Sequence, residues 1–142
     1  MHITRILAVL LMLGFASGRL RAGTNSPYWT NAEHVHGFVV SHLLTSHQSY
    51  RIQPHSSTAY AWYVASQIYA DATMVAAGDA SYIPGMNNAF MWMSNLWDKA
   101  DSNGGYWSTA KIDGSNAGGG KYVDDNALIG NVFLDCYEIS SG

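Results

Sequence analysis

Residues 59–77 read AYAWYVASQIYADATMVAA and decide the fold class. On a helix, this stretch places apolar side chains on most faces, and Gln67 and Asp71 are the main polar interruptions. Ser56 or Ser57 can cap its start. A helix that is apolar on most faces is covered by neighbours on most sides. The stretch therefore predicts a central helix in a packed bundle.

Three other segments repeat apolar residues at helical intervals: 30–48, 84–101 and the chain from Asp124 onward. The first of them begins with the spacing of a capping box. No strand run stands out elsewhere, except that Asp113-Gly114 can form a short hairpin within residues 102–121. We therefore predict an all-α domain in which helical hairpins pack side by side.

The composition fits one packed domain and argues against nucleic acid as a partner. The chain has 142 residues, of which 48% are hydrophobic and 12% are charged. Lysine and arginine number 7 against 10 acidic residues, so the formal net charge is −3. This balance offers no cationic cluster to follow a phosphate backbone. The aromatic fraction of 13% is high, and flat aromatic faces suit either a core or a ligand.

The N-terminus has the pattern of a secretory signal. A positively charged start precedes an apolar run at 6–16, and the small residues that a signal peptidase prefers follow it. We predict a signal peptide over 1–18, with cleavage as late as residue 22 as an alternative. The remaining domain covers 23–142, and its expected location is extracellular, with the cell wall as an alternative. No apolar run is long enough to predict a membrane span.

A long glycine-rich connection lies between the third and fourth predicted helices. It covers residues 102–121, and a connection of this length in a compact domain usually has a function. Tyr106 and Trp107 lie inside it. Two interpretations stay open: the two rings plug the end of the helical stack, or they stack on a sugar.

The histidines and the single cysteine indicate neither a metal site nor a nucleophile. Metal ligands on a helix need intervals of three or four residues on one face, and the histidines do not provide them. Cys136 lies in an apolar helical run, which predicts a buried side chain. We predict no metal and no cofactor. Ordinary surface or partly buried positions account for His34, His36, His42, His47 and His55.

The adjacent acids Asp124 and Asp125 are the strongest candidate for chemistry. They stand where the glycine-rich loop becomes the fourth helix. A helix N-terminus stabilises negative charge, whereas mutual repulsion makes simultaneous ionisation costly. One carboxyl would stay ionised and the other would hold a proton, which is the division that a glycosidase needs. The alternative is structural: Asp124 caps the helix and Asp125 complements its dipole.

The same part of the chain resembles glycoside hydrolase family 76, especially its fungal members. The resemblance rests on Gly-Gly-Tyr-Trp at 104–107, Lys-Tyr-Val-Asp-Asp-Asn-Ala-Leu at 121–128 and Asp-Cys-Tyr-Glu at 135–138. It covers roughly the last forty residues closely. The family comprises endo-acting α-1,6-mannanases and related cell-wall transglycosylase candidates, built on a six-hairpin α/α toroid.

The resemblance implies a role for each matched residue. Asp124 would be the nucleophile and Asp125 the acid/base of a retaining mechanism, while Tyr122 and Asn126 would flank the donor-sugar pocket. One departure concerns the helix after the acids. Many members carry aromatic residues shortly after the pair, whereas this chain has Leu128 followed by another aliphatic side chain. A sugar platform from that helix is therefore absent from the motif.

Four predicted helices are too few for a complete toroid. The resemblance therefore implies that the chain is a truncated, N-terminal portion of such a ring. Helix flanks that normally face further hairpins would then be exposed and would favour self-association. We expect the chain by itself to be weakly active or inactive towards mannan.

The sequence thus favours a secreted glycosidase that acts on α-1,6-linked mannan, with a mannan-type polysaccharide as its partner. Two alternatives stay open. The first is a non-catalytic glycan-binding or cell-wall protein that uses Tyr106, Trp107 and Tyr122 as stacking surfaces. The second is a transglycosylase that transfers cell-wall mannan chains to an acceptor sugar.

Overall fold

The computed structural model describes residues 26–140, so the predicted signal peptide lies outside the described residues. This part of the chain is mostly helical, which confirms the helical class, and it includes one small antiparallel sheet. No helix within it is both long and apolar enough to cross a membrane. In chain order the elements are α1 (Pro27–His42), β1 (Thr58–Tyr60), α2 (Ala61–Ala76), α3 (Ile83–Met93), β2 (Thr109–Lys111) and α4 (Val123–Ser140).

Helix α2 lies at the centre, between α3 and α4. Its apolar pattern predicts this position, because burial of apolar surface is the main force that drives packing. Coverage is incomplete, since Trp62, Tyr63 and Tyr69 of α2 are between 45% and 52% exposed. The largest fully buried apolar side chains come from α2, the end of α3 and its following turn, and α4: Val64, Ile68, Met93, Leu96, Ile129 and Val132.

The start of α2 differs from the prediction. Residues 58–60 form β1, which pairs antiparallel with β2, and the fully buried Ala59 faces Ala110 in the register. The helix begins only at Ala61, and the preceding Tyr60 makes no side-chain cap. The expected serine cap is therefore wrong. The backbone groups before α2 instead form hydrogen bonds with a distant part of the glycine-rich loop, so a local side-chain cap is not needed.

The ends of α1 and α3 also differ from the prediction. Helix α1 starts at the Ser26 cap, whose hydroxyl accepts from the Tyr28 N–H at 3.3 Å, and ends at His42. The capping box predicted at residue 30 and the helix end predicted at residue 48 are therefore wrong. Helix α3 ends at Met93 and passes through a short 3₁₀ turn. Trp97 is then extended and bridges Tyr106 of the loop, so the helix cannot continue as predicted.

Helices α2 and α4 run in the same direction. Both begin beside the glycine-rich loop, because the Ala61 N–H donates to the Ser108 carbonyl and the Ser108 N–H donates to the carbonyl of Gly120, just before α4. Farther along, residues 69–76 of α2 and 135–139 of α4 line a common groove. The adjacent acids therefore lie at the end of the bundle where α2 also starts.

Candidate functional site

The adjacent acids lie in the first turn of α4 and occupy different environments. The helix starts at Val123, one residue earlier than predicted, so Asp124 is inside the helix and not at the capping position before it. Neighbouring side chains on a helix point about 100° apart. Asp124 is exposed to solvent, whereas Asp125 is 8% exposed. The two residues are therefore adjacent in the chain, but their side chains point in different directions and differ in burial.

The electrostatics of the pair are unequal. Burial raises the pKa of Asp125, and the neighbouring charge of Asp124 raises that pKa further. No hydrogen bond from the described residues contributes an opposing effect on the Asp125 pKa. A carboxyl that keeps its proton to a higher pH has the property that a general acid needs.

Asn126 fastens the glycine-rich loop to α4. Its Oδ1 accepts from the Tyr106 N–H at 2.7 Å, and its Nδ2 donates to the carbonyls of Tyr106 at 3.1 Å and Tyr122 at 2.9 Å. The side-chain amide therefore pairs with both the backbone N–H and the backbone carbonyl of Tyr106. This positions the loop next to the acids, a role that the sequence motif did not indicate. Its predicted contact with a donor sugar stays a prediction.

The aromatic residues of the loop cover the end of the core. The Tyr106 ring makes edge contacts with Trp97 at 4.9 Å and Phe133 at 5.9 Å between ring centroids. Trp107 is also partly buried against the core. These contacts support the interpretation that the two rings plug the helical stack. Tyr122 differs, because it is 57% exposed and its ring lies over Gly120, outside the core.

A tight turn leads into this aromatic segment. Gly104 has a φ of 68°, in the left-handed region that side chains other than glycine rarely adopt. A Cβ at this position would collide with the Trp97 ring. The glycine therefore allows the backbone to pass directly over Trp97 and to present Tyr106 to it.

Lys121 holds the two ends of the loop together, and sequence analysis missed it. Its Nζ lies 2.7 Å from carboxylate oxygens of both Asp98 and Asp101, and donates to the Gly104 carbonyl at 2.9 Å. The same ammonium lies 4.9 Å from the centroid of the Trp107 ring. The lysine and Asp101 are 20 residues apart, so no local spacing in the sequence indicates the contact.

This ionic contact predicts a stability difference that depends on pH. The Lys121 ammonium lowers the pKa of Asp98 and Asp101, so their contribution is present above the unfolded pKa of about 3.9 and is lost as the pH falls through the lower folded values. Urea unfolding of wild type and Lys121→Met should therefore differ most near pH 7, and the difference should shrink as the pH falls below about 3.9. Lys99→Met, at an exposed position, is the control. A difference that is constant with pH would show that the aliphatic stem stabilises the loop without the charges.

The histidines lie mainly at surface positions, as predicted. His34, His42, His47 and His55 are exposed, and His36 is partly buried against α2. Within residues 26–140 no group of three or more His, Cys, Asp or Glu side chains is arranged to hold a metal ion. Cys136 is buried in the core, as its apolar surroundings in the sequence predict.

Comparison with known proteins gives no further assignment. No protein-family model matches the chain. No curated protein and no solved structure matches it either. The resemblance to glycoside hydrolase family 76 therefore remains a prediction from the motif residues.

Proposed function

We propose that the chain carries the catalytic carboxyls of a secreted glycoside hydrolase that acts on α-1,6-linked mannan with retention of configuration. The observation that supports this most is the pair Asp124 and Asp125: adjacent, at a helix N-terminus, one exposed and one buried with a raised pKa. A retaining glycosidase needs one ionised carboxylate and one protonated carboxyl on either side of the scissile bond.

The two carboxyls take different roles in the proposed reaction. Asp124 attacks the anomeric carbon, and Asp125 gives its proton to the departing glycosidic oxygen, so the sugar becomes esterified to Asp124. A water molecule then attacks the same carbon. Asp125, now ionised, accepts a proton from that water, and the ester bond to Asp124 breaks. The cycle returns both carboxyls to their starting states and requires no cofactor.

The surroundings support these roles. Asn126 and Lys121 fix the loop beside the pair, which keeps the site in one geometry. Tyr122 offers an exposed ring next to the acids, and a sugar can stack on it. Productive geometry at an active site depends on such supporting contacts.

We also propose that the four helices are part of an α/α toroid. Helices α2 and α4 run parallel and adjacent, as the inner helices of such a ring would. Large apolar side chains are exposed on their outer flanks, among them Trp62, Tyr69 and Leu134. Exposed apolar side chains on helix flanks suit association with further helices or with a second copy of the chain.

The test is cleavage of linear α-1,6-mannan by the purified chain. We expect slow release of reducing ends in wild type and none in Asp124→Asn or Asp125→Asn, with mannan binding retained in both variants. An added acceptor oligosaccharide separates hydrolysis from transfer, since a transglycosylase would lengthen the acceptor. Unchanged turnover and unchanged mannan binding in both variants would contradict catalysis by the pair and favour a glycan-binding protein.

A further inference from the structure

A second buried acid lies far from the proposed catalytic pair. Asp71 of α2 is fully buried, and its Oδ1 lies 2.7 Å from the donor Nε2 of Gln67 and 2.9 Å from Nε2 of His36 on α1. Its other oxygen, Oδ2, has no hydrogen-bond partner among the described residues. An unsatisfied buried carboxylate oxygen is costly, so native proteins rarely keep one without a function.

The residue that carries the unpaired oxygen lines a cavity. The cavity has a volume of about 360 Å³ and lies between α1, the chain that follows it, α2 and the start of α3. Gly85 of α3 contributes to its wall, and a Cβ at that glycine would lie 3.3 Å from Asp71 Oδ2. Oδ2 is itself almost fully covered, and because Gly85 has no side chain, only the glycine backbone lies against it on this side. The polar and aromatic lining is His36, Gln48, Tyr50, Asp71, Ser81 and Tyr82.

Acidic groups outnumber cationic ones around the cavity. Burial raises the pKa of Asp71, and the contact of Asp71 with His36 opposes this effect. Burial raises the pKa of Tyr82, and the charges of Glu33, Asp79 and Asp71 raise it further. Burial and the charge of Asp71 likewise raise the pKa of Tyr50. No lysine or arginine is among the described residues that line the cavity. A cationic ligand is therefore favoured over an anion or a neutral polyol.

The aromatic walls suit the same class of ligand. The rings of Tyr50 and Tyr82 line the cavity, and His36 meets Tyr82 edge-on at 4.6 Å between ring centroids. Aromatic faces attract cations, most strongly where the cation is desolvated. The cavity thus combines aromatic walls with one unpaired hydrogen-bond acceptor.

We propose that this cavity binds a small organic ammonium ion, which donates an N–H to Asp71 Oδ2 and places its charge against Tyr50 and Tyr82. The N–H satisfies the unpaired oxygen, and the positive charge compensates the buried carboxylate. The site is separate from the acid pair. Asp125 lies at the end of the bundle where α2 starts, whereas Asp71 lies about 15 Å farther along α2.

The test is titration with three probes of similar size at about pH 8, where free histidine is neutral. We expect propylammonium to bind wild type at least about tenfold more tightly than 1-propanol, which has no charge, or tetramethylammonium, which has no N–H. Chemical shifts of the tyrosine rings report occupancy. Equal binding of propylammonium and 1-propanol, or no binding of propylammonium, would overturn the proposal.

Two variants locate the binding. Asp71→Asn should weaken propylammonium binding at least about tenfold. Gly85→Ala should weaken it as well, because the added methyl group crowds Oδ2, and alanine keeps α3 intact. Glu138→Gln, at an exposed position on α4, is the control. Unchanged affinity in Gly85→Ala or Asp71→Asn would show that the acid has only a structural role.

Discussion

Asp125→Asn is expected to reduce cleavage of α-1,6-mannan by at least about 10²-fold, because it removes the group proposed to protonate the leaving oxygen. The fold should tolerate this change. The Asp125 carboxyl is buried and its pKa is raised, so the neutral amide removes a destabilising charge. We therefore expect the free energy of unfolding of the variant to equal or exceed that of wild type, although activity is lost.

A change of leaving group separates the roles of the two acids. A dinitrophenyl α-1,6-mannobioside needs no protonation to depart, so Asp125→Asn should still release dinitrophenolate from it, and azide should restore turnover by replacing the water that Asp125 would activate. Asp124→Asn should be inactive towards both substrates, because it lacks the nucleophile. Equal losses in both variants on both substrates would contradict the assignment of separate roles.

Asn126→Ala is expected to lower the free energy of unfolding by about 2–4 kcal/mol. The change removes three hydrogen bonds from the amide to backbone groups of Tyr106 and Tyr122. Tyr106 is partly buried, so its N–H and carbonyl are left without partners where water replaces them poorly. The packing of the Tyr106 ring against Trp97 and Phe133 should loosen when these hydrogen bonds are lost.

Chemical denaturation measures this effect, and two variants refine it. Asn131→Ala, at an exposed position in the same helix, should change stability by no more than about 0.5 kcal/mol. Asn126→Asp keeps the oxygen that accepts from Tyr106 and loses both donors, so its stability should fall between wild type and Asn126→Ala. Equal stability of Asn126→Ala and Asn131→Ala would show that the amide does not hold the loop.

Local patterns predicted the helices better than their ends. Helix α4 was predicted to within one residue at its start, because apolar periodicity and the acids at its first turn indicate the same structure. The start of α2 was wrong, because residues 58–60 pair with β2 across the bundle. The end of α3 was wrong for the same kind of reason, since Trp97 pairs with Tyr106. Non-local pairing overrides local helical preference at these points.

In the candidate site too, local features could be predicted from the sequence and non-local contacts could not. The acid pair and its aromatic neighbours are contiguous in sequence, so they could be recognised there. The contact of Lys121 with Asp101 joins residues 20 apart, and that of His36 with Asp71 joins residues 35 apart. Neither separation carries a local signal. The sequence marked Asp71 only as a polar interruption in an apolar helix, and its unpaired oxygen became evident only from the packing of α1, α2 and α3.

Covalent trapping tests the central proposal most directly, because it requires only one turnover. A 2-deoxy-2-fluoro-mannosyl donor with a fluoride leaving group slows hydrolysis of the glycosyl-enzyme more than its formation. We expect intact-mass analysis to show one added sugar per chain, peptide mapping to place it on Asp124, and Asp124→Asn to remain unlabelled. A chain that stays unlabelled, or that carries the sugar on a different residue, would contradict the proposal that Asp124 is the nucleophile of a retaining glycosidase.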